Sequence, residues 1–331
     1  TWNSMNILVA TNFLSKGNTI FLKDDPRENQ LSINNVDYYA CSVSPQFKRN
    51  KGAHSYVLAL YPSQDFIDIY NTQPQKVIKI SNVRDFYRNG DYVGSDANER
   101  FRIEVSALED CKRNHIPNII EIDLQGHIQC TEQYMTRRGE ERKVKAFFPF
   151  YMMDYADGDL KQYLEEQNIN KSEKMDLCLQ LAEGLNDLNR LGYYHRDIKP
   201  DNILIFQGSR WKIGDLGLVT RRDLDFDRQN ELIGPKGWLS PEAMNKYLAE
   251  GRGNKKIDCI IDKQSDIFQL GKVFWYILQG NAPIGCIKRA DFLDTDESIY
   301  VLIRTMLNYS KKRRIKDMSE VVKELERIIN Q

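Results

Sequence analysis

Between Tyr194 and Ile205 the chain reads His195-Arg196-Asp197-Ile198-Lys199-Pro200-Asp201-Asn202, flanked by apolar runs, and Asp215-Leu216-Gly217 follows one predicted hairpin later. A short polar segment between two β-like runs ordinarily makes a turn. A turn, however, has no use for a second acidic tripeptide one hairpin further on. Phosphoryl transfer needs such a set: one carboxylate takes a hydroxyl proton, an asparagine and a second aspartate hold Mg2+, and an ammonium neutralises the moving group.

The run HRDIKPDN, then DLG, then Ser240-Pro241-Glu242, resembles the catalytic loop, metal-binding tripeptide and activation-segment end of eukaryotic-type protein kinases. The resemblance covers about residues 46 to 331 and implies an α+β, bilobal protein kinase fold with a β-rich small lobe and a mainly helical large lobe. It implies a small lobe over 46–153 and hinge and large lobe over 154–331, while the strand-like pattern ahead of it reads as an N-terminal β-rich extension over 1–45. ATP and Mg2+ are the implied cofactors and a protein is the implied substrate. Asp197 takes the role of catalytic base and Lys199 that of the γ-phosphoryl partner, with Asn202 and Asp215 as the metal pair. His195 reads as a packed structural histidine, and Leu216 fills an apolar slot where the family usually has Phe.

These groups need elements to place them. In the implied small lobe, Asn50-Lys51-Gly52-Ala53-His54-Ser55-Tyr56-Val57 corresponds to the glycine-rich turn over the phosphates, with only Gly52 kept of three glycines and Val57 set to cover the adenine. Asn tolerates positive φ better than most residues, so the turn survives that loss. Lys76-Val77-Ile78-Lys79 matches the strand bearing the phosphate-binding lysine, Lys79. The helical run from Asn98 to Leu108 buries Phe101, Val105 and Leu108, and Glu104 lies on that stripe whereas Glu99 and Glu109 do not. A lone buried carboxylate is costly, and pairing with Lys79 resolves it. Phe147–Met153 is an apolar strand running into the implied hinge, where the backbones of Asp154 and Ala156 face the adenine. Asp159 is a candidate for the ribose hydroxyls, against its reading as a helix-start carboxylate, and Leu204 joins the nucleotide-binding set. Upstream, Thr19–Lys23, the turn signal Asp24-Asp25-Pro26 and the alternating run Val36–Ala40 suggest a hairpin. Residues 127–145 read as a solvated hairpin insert.

In the implied large lobe, Leu177, Leu181, Leu185 and Leu188 repeat at helical spacing and lead into the catalytic loop. The run Asp266–Leu278 is apolar nearly all round, so its helix must be buried. The resemblance gives Asp266 the task of tying down the catalytic-loop backbone and pairs Glu242 with Arg313 or Arg314, the latter better spaced. Met318, Val321, Val322, Leu325 and Ile329 form a closing amphipathic stripe. Arg196 implies a need for an anion from the activation segment, yet Thr220 and Ser240 are the only hydroxyls there and sit at its ends. One of Asp223, Asp225 or Asp227 is therefore expected to supply the charge, without activating phosphorylation.

Lysine plus arginine equal aspartate plus glutamate at 47 each, so no net field selects nucleic acid or an anionic membrane. No apolar run is long enough to span a bilayer and no signal-peptide pattern opens the chain. The six cysteines lack C-x-x-C spacing and read as thiols of a reducing, cytoplasmic compartment. Nothing in the sequence sets an oligomeric state. Lys199 resembles serine/threonine kinases, while Pro235 and Trp238 occupy positions where tyrosine kinases show the same residues, which leaves dual specificity open. The eroded glycine turn and Pro235 motivate a second class, a pseudokinase acting as a nucleotide-binding scaffold. A small-molecule kinase would share Asp197, Asn202 and Asp215 but not Lys199 or the Ser-Pro-Glu end.

Overall fold

The computed structural model describes residues 6–43, 55–66, 68, 71–89, 91–224, 226–228, 231–248 and 257–331. Gly52 and most of its run, and Asp225, lie outside the described residues. By internal contacts the chain divides into two units, 1–109 with 121–155, and 110–120 with 156–331.

The first unit contains β1 (Asn6–Lys16), β2 (Thr19–Phe21), β3 (Gln30–Ile33), β4 (Val36–Ser42), β5 (Ser55–Pro62), β6 (Lys76–Ser81), β7 (Phe86–Arg88), β8 (Asp91–Val93), α1 (Glu99–Arg113) up to Glu109, β9 (Ile122–Met135) and β10 (Glu141–Asp154). An eight-stranded sheet runs β2-β1-β3-β4-β5-β6-β10-β9, and β1 also pairs with β9, closing the sheet on itself. That closing pair is parallel, from Asn6 opposite Gln125 to Ser15 opposite Glu132, with an irregularity between Ala10 and Leu14. Alternation sends Leu58, Leu60, Ile78, Ile80, Phe148 and Phe150 to the enclosed face, where they meet Val9, Phe13, Leu31, Ile33 and Tyr38 from the first strands in one core. Residues 6–42, expected as an appended extension, thus supply four strands and part of the core of this sheet. The hairpin expected there pairs differently. Thr19–Phe21 lies against β1, and Val36–Ala40 pairs with β3 across the left-handed Asn34 and Asn35 (φ 50° and 62°), the conformation a two-residue hairpin turn demands. Asp25 instead caps a 3₁₀ turn at Pro26–Glu28. The solvated hairpin expected over 127–145 exists at its far end, but Ile128 and Cys130, on the strand that pairs with β1, are core residues.

The second unit contains β11 (Gly158–Asp159), α2 (Leu160–Glu166), α3 (Lys171–Arg190), β12 (Tyr193–Tyr194), β13 (Ile203–Phe206), β14 (Arg210–Ile213), β15 (Thr220–Arg221), α4 (Pro241–Leu248), α5 (Lys263–Gln279), α6 (Glu297–Met306) and α7 (Met318–Ile329). Asn170 and Glu173 form a capping box at the start of α3, and the repeating leucines Leu177, Leu181, Leu185 and Leu188 are fully buried. A second capping box, Asp262 with Ser265, starts α5, and Gly280 in the left-handed region ends it. As its composition requires, α5 is buried on nearly every side. On α7 the buried stripe is Met318, Val321, Leu325 and Ile328. Ile329, placed on the stripe by spacing, is exposed at 42%, because the last turn presents its neighbour inward instead.

Candidate active site

In the first unit β6 holds Lys79 opposite Val57 of β5 and Tyr151 of β10. Directly opposed residues share a face, so Val57, Lys79 and Tyr151 form one row on the face away from the enclosed core. Helix α1 brings Glu104 to that row. Lys79 Nζ donates to Glu104 Oε1 at 2.6 Å, and Tyr151 Oη donates to the same oxygen at 3.0 Å. Glu104 is 1% exposed, so the ammonium and the phenol supply the partners its burial demands. Sequence spacing indicated the lysine and the glutamate, whereas Tyr151 was visible only as one apolar residue of a strand. On α1, Ile103 and Ala107 are buried and the expected Val105 is only half-buried. The Asp154 side chain, at the end of β10, pairs with Lys76 Nζ at 2.5 Å, as does Asp123. Burial would lower the Lys76 ammonium, but bonds to the two carboxylates outweigh it and hold its pKa above the usual value.

In the second unit the β13–β14 hairpin pairs Ile203 with Ile213 and so returns the chain to its start. Gly214 N–H donates to the Asn202 carbonyl at 2.7 Å, which sets Asn202 beside the residue preceding Asp215. Asn202 Nδ2 in turn donates to the Asp197 carbonyl at 2.8 Å. His195 ties the same segments: Asp197 N–H donates to Nδ1 at 3.1 Å, so Nε2 carries the proton and donates to the Gly214 carbonyl at 2.9 Å. It is completely buried, which matches a structural rather than an acid–base part. Burial, and next the charge of Asp215, push the Asp197 carboxyl up to about 6, against the opposing pull of His195, Lys199 and Asn202. Asp215 is itself in the left-handed region at φ 47°, and Leu216 is fully buried. Leu204, on β13, packs 3.2 Å from where a Gly214 side chain would begin. Asp159 caps α2, Oδ1 accepting the Gln162 N–H at 2.8 Å, so one of its two oxygens is committed. Ala156 is half-buried and Lys199 partly exposed.

The supporting contacts are also formed. Asp266 accepts the N–H groups of His195 and Arg196, both at 2.9 Å. Arg314 forks onto Glu242 at 2.7 and 3.1 Å, a bidentate geometry in which both side chains are buried. Of the three aspartates considered for Arg196, Asp227 meets it: Oδ2 lies 2.6 Å from Nη1 and 2.8 Å from Lys246 Nζ of α4. Asp223 faces Arg221 at the surface instead. Burial would raise the Asp227 carboxyl, but Arg196 and Lys246 outweigh that and hold it below the usual aspartate value.

Among the described residues no group of three or more His, Cys, Asp or Glu side chains is arranged to hold a metal by itself. The donor set fits Mg2+ in another way. An Asn and an Asp offer hard oxygens, and Mg2+ keeps waters and binds phosphates besides one or two carboxylates. The mutual charge that holds Asp197 up is what a divalent cation would relieve.

All six cysteines are free, and no helix among the described residues is long and apolar enough to cross a membrane. A sequence model of the protein kinase domain matches residues 76–331. The chain is 29% identical over 181 residues to the interferon-induced, double-stranded RNA-activated protein kinase of Rattus norvegicus, covering 53% of this chain and 33% of that protein. It is 23% identical over 150 residues to serine/threonine-protein kinase 16 of Rattus norvegicus, covering 45% and 49%. It is 32% identical over 157 residues to the probable serine/threonine-protein kinase ireA of Dictyostelium discoideum, covering 44% and 14%. The matched regions therefore span less than half of the length of each of these relatives.

Proposed function

The chain belongs to the protein kinase domain family, and on that premise we propose that it transfers the γ-phosphoryl group of ATP to serine and threonine hydroxyls of protein substrates, without activation-segment phosphorylation. The arrangement that carries this reading is the bonded set Asp197–Asn202–Gly214, which gathers a high-pKa carboxyl, an amide and the neighbour of Asp215 on one short loop and hairpin.

Asp197 would orient the substrate hydroxyl and accept its proton, a task suited to a carboxyl whose pKa lies close to working pH. Lys199 would neutralise charge developing on the phosphoryl group. Glu104 and Tyr151 hold the Lys79 ammonium in one place, ready for the α- and β-phosphates. Asn202 and Asp215 would hold Mg2+, which supplies charge compensation to the phosphate oxygens. Gly52, Val57, Asp154, Ala156, Asp159 and Leu204 complete the nucleotide-binding set by their match to the family's positions. Lys199 supports serine and threonine as acceptors, as do the names of the relatives. The Arg196–Asp227–Lys246 cluster supports independence from phosphorylation, because its anion is built in.

Labelled ATP with Mg2+ and a peptide library tests the reading. The parent is expected to transfer label to serine and threonine, and Asp197→Asn to lose it by at least about a hundredfold. Equal signal in both proteins would favour a nucleotide-binding scaffold, and phosphotyrosine among the products would establish dual specificity.

A further inference from the structure

Arg196 stands at φ 72°, a left-handed conformation that an L residue with a side chain adopts only when its surroundings impose it. Such a residue turns its neighbouring peptide groups out of any regular ladder, and here they lie in a buried loop, where unpaired N–H and C=O groups are costly. Two side chains of α5 take them up. Asp266 holds the N–H groups of His195 and Arg196. Gln269, one turn on and so on the same face, takes the other two. Its Nε2 donates to the Arg196 carbonyl at 3.1 Å, and its Oε1 accepts the Ile198 N–H at 3.1 Å. A single buried amide therefore grips the peptide groups immediately before and after Asp197, and Gln269 is itself only 3% exposed.

The segment leading to Pro235 closes over the same point. Gly234 is at φ 109°, and a Cβ there would stand 2.9 Å from the Arg196 carbonyl oxygen and 3.2 Å from Gln269 Nε2. Only glycine fits that approach.

From this geometry we infer that Gln269 is a positioning residue for Asp197. It fixes the loop torsions that present the carboxylate, and it registers the Gly234–Pro235 segment against the catalytic loop. The catalytic consequence rests on the kinase reading above; the structural one does not. The amide is uniquely suited, since it offers one donor and one acceptor at the right reach. Glutamate would oppose a charged oxygen to the Arg196 carbonyl, and methionine would keep the volume while removing both bonds.

The test is Gln269→Met in the full chain, read by steady-state kinetics and by amide hydrogen exchange. Exchange at residues 196–198 is expected to speed up about tenfold or more, with α3 at the parental rate. The kcat is expected to fall about ten- to hundredfold with KM for ATP within about twofold. Parental protection of the Ile198 amide, or loosening spread equally through α3, overturns the inference, the latter because it marks a packing role alone. Should the methionine variant fail to accumulate folded, Gln269→Leu, which also removes both bonds in a smaller side chain, is read by the same criteria. If the parent transfers no phosphate the kinase reading falls, while exchange at Ile198 still decides whether Gln269 holds the loop.

Discussion

Asp197 holds its proton up to about pH 6 because it is buried and faces Asp215, and both causes weigh on the fold as well as the chemistry. A carboxyl whose folded pKa exceeds its ordinary 3.8 is ionised at a cost at neutral pH. Its contribution to stability therefore improves as pH falls through 6 towards 3.8. Asp197→Asn removes the cost, so the metal- and nucleotide-free variant is expected to melt a few degrees above the parent at pH 7.5, a gain on the order of 1–3 kcal/mol. An unchanged or lower melting temperature would contradict the charge conflict. With Asp197 in its proposed role as base, kcat/KM of the parent should fall tenfold per pH unit below about 6, where that carboxyl of the free enzyme is protonated. Asp227 behaves in the opposite sense. Its depressed pKa means that its stabilising pair with Arg196 is fully present above 3.8 and is lost only as pH falls below that value. A phosphate in its place would lose a charge near pH 6, so the aspartate makes a fixed anion rather than a switchable one. Phosphatase treatment should leave the parent's rate unchanged, while Asp227→Asn should lower kcat about ten- to hundredfold by releasing Arg196 beside the base. Loss of activity on phosphatase treatment would sink that account.

At the scale of elements, β1 is the strand whose part the sequence least announced. Its docking depends on Gly126 of β9, where a Cβ would fall 1.9 Å from the Ile7 carbonyl oxygen. Gly126→Val should therefore expel β1 from β9 and expose Val9 and Phe13, with a loss on the order of 3–5 kcal/mol. Hydrogen exchange reads it directly: amides of β1 and β2 should lose protection while β10, still paired with β6, keeps it. Retained protection in β1 would mean that the closing pair is not sterically gated. Other elements followed from local rules. The leucine repeat predicted α3, the all-apolar run predicted the burial of α5, and the hairpin after Asn202 returned the chain to Asp215. The hairpin of β3 and β4 is masked in the sequence because Asp24-Asp25-Pro26 is the louder turn signal, although Asn34 and Asn35 make the turn.

For the whole molecule, each unit has a core of its own. Phe13→Ala, in the enclosed core of the first, and Leu181→Ala, on α3 of the second, should each cost about 2–5 kcal/mol. Exchange rates are expected to rise mainly in the mutated unit. Equal opening of both units by either variant would show that they unfold as one.

The sequence by itself determined the family, because the motifs of a protein kinase domain are particular side chains at short spacings and those spacings survive in the linear order. Lys79 with Glu104 and Glu242 with Arg314 are both legible in the chain as pairs and both form. Which partners complete those groups was decided only in three dimensions. Tyr151 on Glu104, Gln269 around Asp197, Asp227 for Arg196 and β1 against β9 each join residues from distant parts of their unit. Such contacts arise from sheet register and helix packing, and neither leaves a periodic trace in the residues that make them.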